Sequence, residues 1–147
     1  MSAESDALNK ANLGTPYYDG QFDAYASAFT VARKALVTGV KNRDITMSSS
    51  RFTIQTNGLY KIDAFCRMNM PASGIGGLAL KVNNEASYTV YDWVTYQGSA
   101  HSGSARISAL LPMVAGDYFE FWYIIYSNGI TSVDGVLTSR FSIYKVG

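Results

Sequence analysis

Any mechanism that needs an imidazole must use His101, the only histidine in the chain. Its surroundings, Gly-Ser-Ala-His-Ser-Gly-Ser-Ala, read as a small-residue loop with Ser102 and Ser104 beside it. A serine nucleophile needs a base and an orienting acid at hand, and the sequence has no Gly-x-Ser-x-Gly elbow. The plain reading is a solvated loop histidine. Cys66, also alone, lies mid-strand between apolar neighbours, where a thiol is buried and inert.

The stretch Ser-Gly-Ile-Gly-Gly-Leu-Ala-Leu at 73–80 has the glycines of a phosphate loop without the Lys-Ser/Thr that grips the phosphates, and it reads as a turn. Asp19-Gly20 and Asp134-Gly135 are turn residues before they are calcium ligands. The residues therefore predict no enzyme, no cofactor and no metal. With twelve basic and eleven acidic residues the formal charge is +1, and no run of like charge marks a polyanion-binding surface, so nucleic acid is not an expected partner.

Chemistry recedes and the elements come forward. Eleven Tyr, seven Phe and two Trp, with thirteen Gly and only three Pro, favour strands. The 147 residues suit a single core without a disulfide, which one cysteine cannot form within the chain. No apolar run is long enough to cross a bilayer and no Asn-x-Ser/Thr acceptor or N-terminal leader is seen, so membrane insertion is not expected and synthesis is expected in a cytoplasm.

Residues 1–24 are polar and small, carry Gly14-Thr15-Pro16 and Asp19-Gly20, and show no sustained period; they predict an extended N-terminal arm, followed by one domain over 25–147. The domain opens with a strand through Ala28 to Val31 and a loop. Turn signals such as Asn57-Gly58, Asn83-Asn84, Ala115-Gly116-Asp117 and Ser127-Asn128-Gly129 then recur every 8 to 12 residues or so, as in an all-β sandwich or barrel.

Alternation assigns the faces. Tyr60, Ile62, Ala64, Cys66 and Met68 form a core set with Lys61, Asp63, Phe65 and Arg67 opposite; Ile107, Ala109, Leu111 and Met113 form another, with Arg106, Ser108 and Leu110 opposite. From Tyr118 to Ile125 both faces are apolar. Phe119, Phe121, Tyr123 and Ile125 make the core, which leaves Tyr118, Glu120, Trp122 and Ile124 outward. A patch of that size asks for cover, either from a partner or from the chain's own segment around Trp93.

The order Gly58, Tyr60, Ile62, then Leu78, Leu80, Asn83, then Gly116-Asp117, then Ser139, Phe141, Ser142 resembles the globular head of the first complement component, within the tumour necrosis factor-like jelly rolls. The resemblance spans about residues 45 to 147, with Ser-Ala-Phe-Thr-Val as the first strand. It implies a two-sheet antiparallel jelly-roll sandwich of about ten strands that assembles as a homotrimer, with Phe65, Leu110 and Tyr144 buried between subunits and Lys61, Asp63 and Arg67 as candidate charge pairs there.

Stalkless members resemble the trimeric modules of bacteriophage virions. That resemblance implies a virion structural protein on the capsid exterior, a decoration or head-fibre protein whose partner is the major capsid protein or another virion protein. The arm would make the contact, through Pro16, Tyr17, Tyr18 and Phe22. The alternative is a tail adhesin in which Trp93, Tyr118, Trp122 and Ile124 form an exposed patch for a host-surface glycan.

Overall fold

Strict alternation over long stretches builds the molecule. The computed structural model describes residues 15–25, 28, 31–70, 75–83, 89–95, 101–127, 129–135 and 139–147, with backbone alone at 70, 89–95, 101–102 and 126–127. Among them run twelve strands: β1 (Tyr17–Phe22), β2 (Arg33–Lys34), β3 (Val37–Arg43), β4 (Ile45–Ser48), β5 (Arg51–Ile54), β6 (Gly58–Met70), β7 (Ile75–Val82), β8 (Thr89–Thr95), β9 (His101–Met113), β10 (Tyr118–Ser127), β11 (Ser132–Val133) and β12 (Arg140–Lys145).

They form two antiparallel sheets. Sheet one runs β9-β6-β12-β1-β3, with β11 beside the end of β6; sheet two runs β4-β5-β10-β7-β8, with the short β2 on β10 beyond the end of β5. The chain passes back and forth between the sheets, from β3 to β4–β5, back to β6, over to β7–β8, and so on to β12. That crossing pattern is the jelly roll. The longest pairing joins β6 to β9, thirteen residues each, from Gly58 opposite Met113 to Met70 opposite His101.

The core lies between the sheets and matches the alternation sets. Tyr60, Ile62, Cys66, Met68, Phe119, Phe121 and Tyr123 have no exposed surface, and Ala64, Ile107, Ala109 and Met113 have almost none. Leu111 and Ile125 pack against the core half-buried. Phe141 of β12 sits at the hub. Its ring centroid lies 5.2 Å from Phe52, 5.2 Å from Phe121 and 5.5 Å from Phe22, in edge-on and tilted contacts that suit aromatic quadrupoles.

The expected boundary after residue 24 is corrected. Tyr17–Phe22 is an inner strand of sheet one, hydrogen-bonded to β12 on one side and to β3 on the other. The Asp19-Gly20 pair that reads as a turn is instead a β-bulge: Asp19 faces Lys41 and Gly20 faces Gly39, so Val40 has no partner and bows outward. Glycine is there for space, since a Cβ at Gly20 would lie 2.6 Å from the Thr38 carbonyl oxygen. Residues 1–14 of the expected arm lie outside the described residues.

Three further expectations shift. Ala28 and Val31 are exposed and outside any strand; the paired residues are Arg33 and Lys34, which seat Ala35 in the core. Gly76 and Gly77 belong to β7, not to a turn, and pair with Ile125 and Ile124 of β10. His101 opens β9 rather than lying in a loop.

Two hairpins show how sequence closes strands. Gly116, at φ 97°, turns β9 into β10; the Asp117 amide bonds the Val114 carbonyl at 3.0 Å, and the Val114 amide returns a bond to Asp117 Oδ2 at 2.9 Å. Asn83 ties the end of β7 to this corner, its Oδ1 accepting from the Tyr118 amide at 2.9 Å and its Nδ2 donating to Asp117 Oδ1 at 3.2 Å. Ser49 and Ser50, at φ 51° and 59°, join β4 to β5 with both central residues left-handed. The buried Ser50 Oγ accepts the Val37 amide at 3.1 Å. Ser50→Ala orphans that amide and is expected to cost about 1 kcal/mol, read from urea unfolding.

Candidate functional site: the outward faces of the two sheets

Sheet one presents a grid whose rows follow from strand register. One row reads Leu110, Lys61, Tyr144, Tyr17, Arg43 across β9, β6, β12, β1 and β3; the next reads Ser108, Asp63, Ser142, Asp19, Lys41; the next Arg106, Phe65, Arg140, Gln21, Thr38. The bulge at Asp19 and Gly20 borders a groove of about 890 Å³ on this face, with Phe65 and Gly20 in its wall.

All six residues expected at a subunit contact lie on this face. Leu110 is 54% exposed and Tyr144 37%, and Phe65 is half-buried at the groove. The charged ones already have partners within the chain. Lys61 Nζ reaches Ser108 Oγ at 2.5 Å and Asp63 Oδ1 at 3.4 Å; Arg67 Nε pairs with Asp134 Oδ2 at 3.4 Å. Asp63 Oδ2 accepts the Tyr144 hydroxyl at 3.1 Å. Burial, then the hydrogen bond to Asp63 and its charge, raise the Tyr144 hydroxyl above its ordinary value, so it remains a donor.

The residues expected at a capsid contact are not together on any surface. Tyr18 and Phe22 are corrected outright: they are core, at 4% and 0% exposure, with Tyr18 edge-on to Phe52 and Phe22 edge-on to Phe121. Inward alternation of β1 places them there. Pro16 is buried too, its carbonyl accepting the Lys145 amide at 3.0 Å. Tyr17 alone turns outward, beneath the Arg43 guanidinium at 5.7 Å.

Sheet two answers what covers the second face of β10. Glu120, only 5% exposed, draws in two side chains distant in sequence, Arg51 Nε at 3.0 Å and Lys34 Nζ at 3.4 Å, both on Oε2, and accepts the indole N–H of nearby Trp122 on Oε1 at 3.0 Å. The Arg51 guanidinium lies 4.0 Å above the Tyr118 ring and Lys81 Nζ lies 5.3 Å from the Trp122 ring. Burial opposes ionisation of Glu120, yet the hydrogen bonds from Trp122 and Arg51 and the charges of Lys34 and Arg51 outweigh it, and the carboxyl sits below its ordinary value.

The stems of basic side chains thus cover the aromatic stripe from within the chain. Tyr118, Trp122 and Ile124 are half-buried rather than an open patch; Trp93 is on β8 opposite Gly77, its side chain outside the described residues. Arg51, Lys34 and Lys81 escaped sequence reading because nothing local ties them to Glu120.

Cys66 has no exposed surface; burial pushes its thiol up to about 12 despite hydrogen bonds with Ser139 and Tyr123. A thiol reagent at pH 8 is expected to label the native protein only as fast as it opens, and at once in denaturing urea. Among the described residues no three His, Cys, Asp or Glu side chains gather as metal ligands.

No family model matches the sequence, and no curated protein matches it. Solved structures match the fold. Murine APRIL superposes with a TM-score of 0.65 at 8% identity, over 90% of this chain and 99% of that one. Eiger TNF from S. frugiperda gives a TM-score of 0.64 at 12% identity, over 90% and 94%. The chain is a tumour necrosis factor-like jelly roll: all-β, two antiparallel sheets, similar in fold to those proteins across nearly its whole length.

Proposed function

We propose that the chain is a non-catalytic, self-assembling structural protein, a homotrimer packed through the outward face of sheet one, that works on a virion exterior as a capsid decoration or head-fibre protein. The observation that carries the assembly is the contrast between the two faces. Sheet two seals its own aromatic stripe with Arg51, Lys34 and Lys81, whereas sheet one leaves Leu110, Tyr144 and Val40 exposed around a groove. A jelly roll that covers one face and leaves the other open has an obvious surface for its own copies.

The virion setting is supported by the sequence resemblance to stalkless phage modules, and by the polar, small-residue composition of residues 1–14, which precede Tyr17 in the sequence. The contact with a major capsid protein then belongs to those residues and Tyr17 rather than to Tyr18 or Phe22. The adhesin alternative loses ground because the Trp122 indole is held by Glu120 and Lys81.

Sedimentation equilibrium tests the assembly: a mass of about 48 kDa, three times the 16.0 kDa chain, is expected, falling to one chain for Leu110→Asp with Phe65→Asp. A chain that is monomeric throughout ends the reading. Co-sedimentation with megadalton particles from a cognate lysate, present for the full chain and lost without residues 1–14, tests the virion role.

A further inference from the structure

We infer that Asn57 is a site of spontaneous covalent modification: its side-chain amide is lost to ring closure with the backbone nitrogen of Gly58, which leaves aspartate or isoaspartate at this corner of the fold. In that step the Gly58 nitrogen gives up its proton and bonds to Asn57 Cγ, the Cγ–Nδ2 bond breaks, and ammonia leaves. Water then adds to one carbonyl of the cyclic imide and reopens it. Water is the only co-reactant.

Several features of the structure serve this chemistry. Asn57 is exposed in the connection between β5 and β6, and its Oδ1 accepts the Ala115 amide at 2.8 Å. That N–H draws electrons from Cγ and faces the oxygen on which negative charge gathers as the ring closes. Among the described residues Nδ2 makes no hydrogen bond, so the leaving group is open to water.

Gly58 supplies a nucleophile with no side chain to hinder ring closure, and packing keeps it a glycine: a Cβ there would lie 2.5 Å from the Gly147 carbonyl oxygen. The Leu59 amide goes to Gly147, so the Gly58 amide faces β9, opposite Met113 in the terminal rung of the β6–β9 ladder. A terminal rung opens more readily than one inside the ladder, and each opening frees the Gly58 nitrogen.

The other described asparagines lack this combination. Asn69 Nδ2 is held by Ser132 Oγ at 2.8 Å and Asp134 Oδ1 at 3.2 Å. Asn83 is held at both ends, by the Tyr118 amide and by Asp117. Asn42 lies within β3 and precedes Arg43, whose side chain hinders the ring. The two products at 57 also differ in consequence. Aspartate keeps an oxygen for the Ala115 amide, whereas isoaspartate adds a methylene to the main chain and draws its carboxylate back, so the β5–β6 connection loses its hold on the β9–β10 turn.

The test incubates the full chain at pH 8, then maps its peptides by mass spectrometry and counts isoaspartate with an isoaspartyl methyltransferase. The mass gain of deamidation, ammonia lost and water gained, is expected at Asn57 as both products. It should proceed about tenfold faster than at Asn69 or Asn83, whose amides must first give up their hydrogen bonds. The rate should rise with pH, because the Gly58 amide must lose its proton. The peptide map separates Asn57 from Asn128, which also precedes a glycine and lies outside the described residues. Conversion at Asn57 only in denaturing urea, or no faster than at Asn83, overturns the inference. Hydrogen exchange of the Ala115 amide reads the consequence: faster exchange is expected in the isoaspartate fraction and near-native exchange in Asn57→Asp. Equal protection in both would refute the loosening of the corner.

Discussion

Glu120→Ala is expected to lower the unfolding free energy by about 2 to 3 kcal/mol, more than any other single charge removal on the surface, as measured by urea unfolding at pH 7. Glu120 accepts from three donors on one nearly buried carboxylate, and its loss leaves the Trp122 indole N–H without its acceptor. Breaking a fully buried pair costs about 3 to 5 kcal/mol; here the Arg51 and Lys34 side chains are 46% and 30% exposed, so water recovers part of the loss. Glu120→Gln keeps the shape and one acceptor and should cost about half as much.

The pH dependence follows from direction. The folded-state carboxyl lies below its ordinary value, so its stabilisation is complete above the unfolded-state pKa of about 4.3 and disappears as pH falls through the folded one. The gap in stability between the native chain and Glu120→Gln should therefore be constant from pH 7 to about 5 and close below about 4. A gap that persists unchanged at pH 3 would show that the carboxylate charge is not what holds Arg51 and Lys34 over the stripe.

The core faces were legible because β6, β9 and β10 are long and alternate without interruption, and a one-residue slip would have turned every large side chain the wrong way. The jelly-roll order was legible only through resemblance, since alternation says which face is inward and nothing about which strand is the neighbour. What the sequence hid has one physical form: contacts between residues far apart in the chain. Arg51 and Lys34 lie 69 and 86 positions from Glu120, so the outward stripe of β10 looked bare.

The groove was hidden in the same way, because Arg106, Arg140 and Lys41 come from β9, β12 and β3. The first strand was misread for a local reason instead. Asp-Gly is a strong turn signal, and nothing near Tyr17 reveals that Gly20 has been chosen for the room it leaves to Phe141.

That choice gives the largest single-residue effect. Gly20→Ala is expected to cost about 3 kcal/mol, because the added Cβ would lie 2.5 Å from Phe141 Cζ and 2.6 Å from the Thr38 carbonyl oxygen. Neither neighbour is the free end of a flexible chain: Thr38 contributes backbone, and Phe141 is locked among Tyr18, Phe22, Phe52 and Phe121. Gly116→Ala is the matched contrast, with nothing within 4 Å of its added Cβ and only the left-handed φ of 97° to oppose it, worth about 1 kcal/mol.

Phe141→Leu removes the ring atom that Gly20→Ala would strike. Alone it is expected to cost about 2 kcal/mol in lost packing, and the double variant should cost about 1 kcal/mol less than the two singles added, the remainder staying with the Thr38 carbonyl. Strict additivity would place the strain in the backbone of the bulge alone. Coupling of the expected sign would instead tie the β-bulge of sheet one to the aromatic hub beneath it, because the side chain missing at Gly20 is what lets Phe141 fill the core.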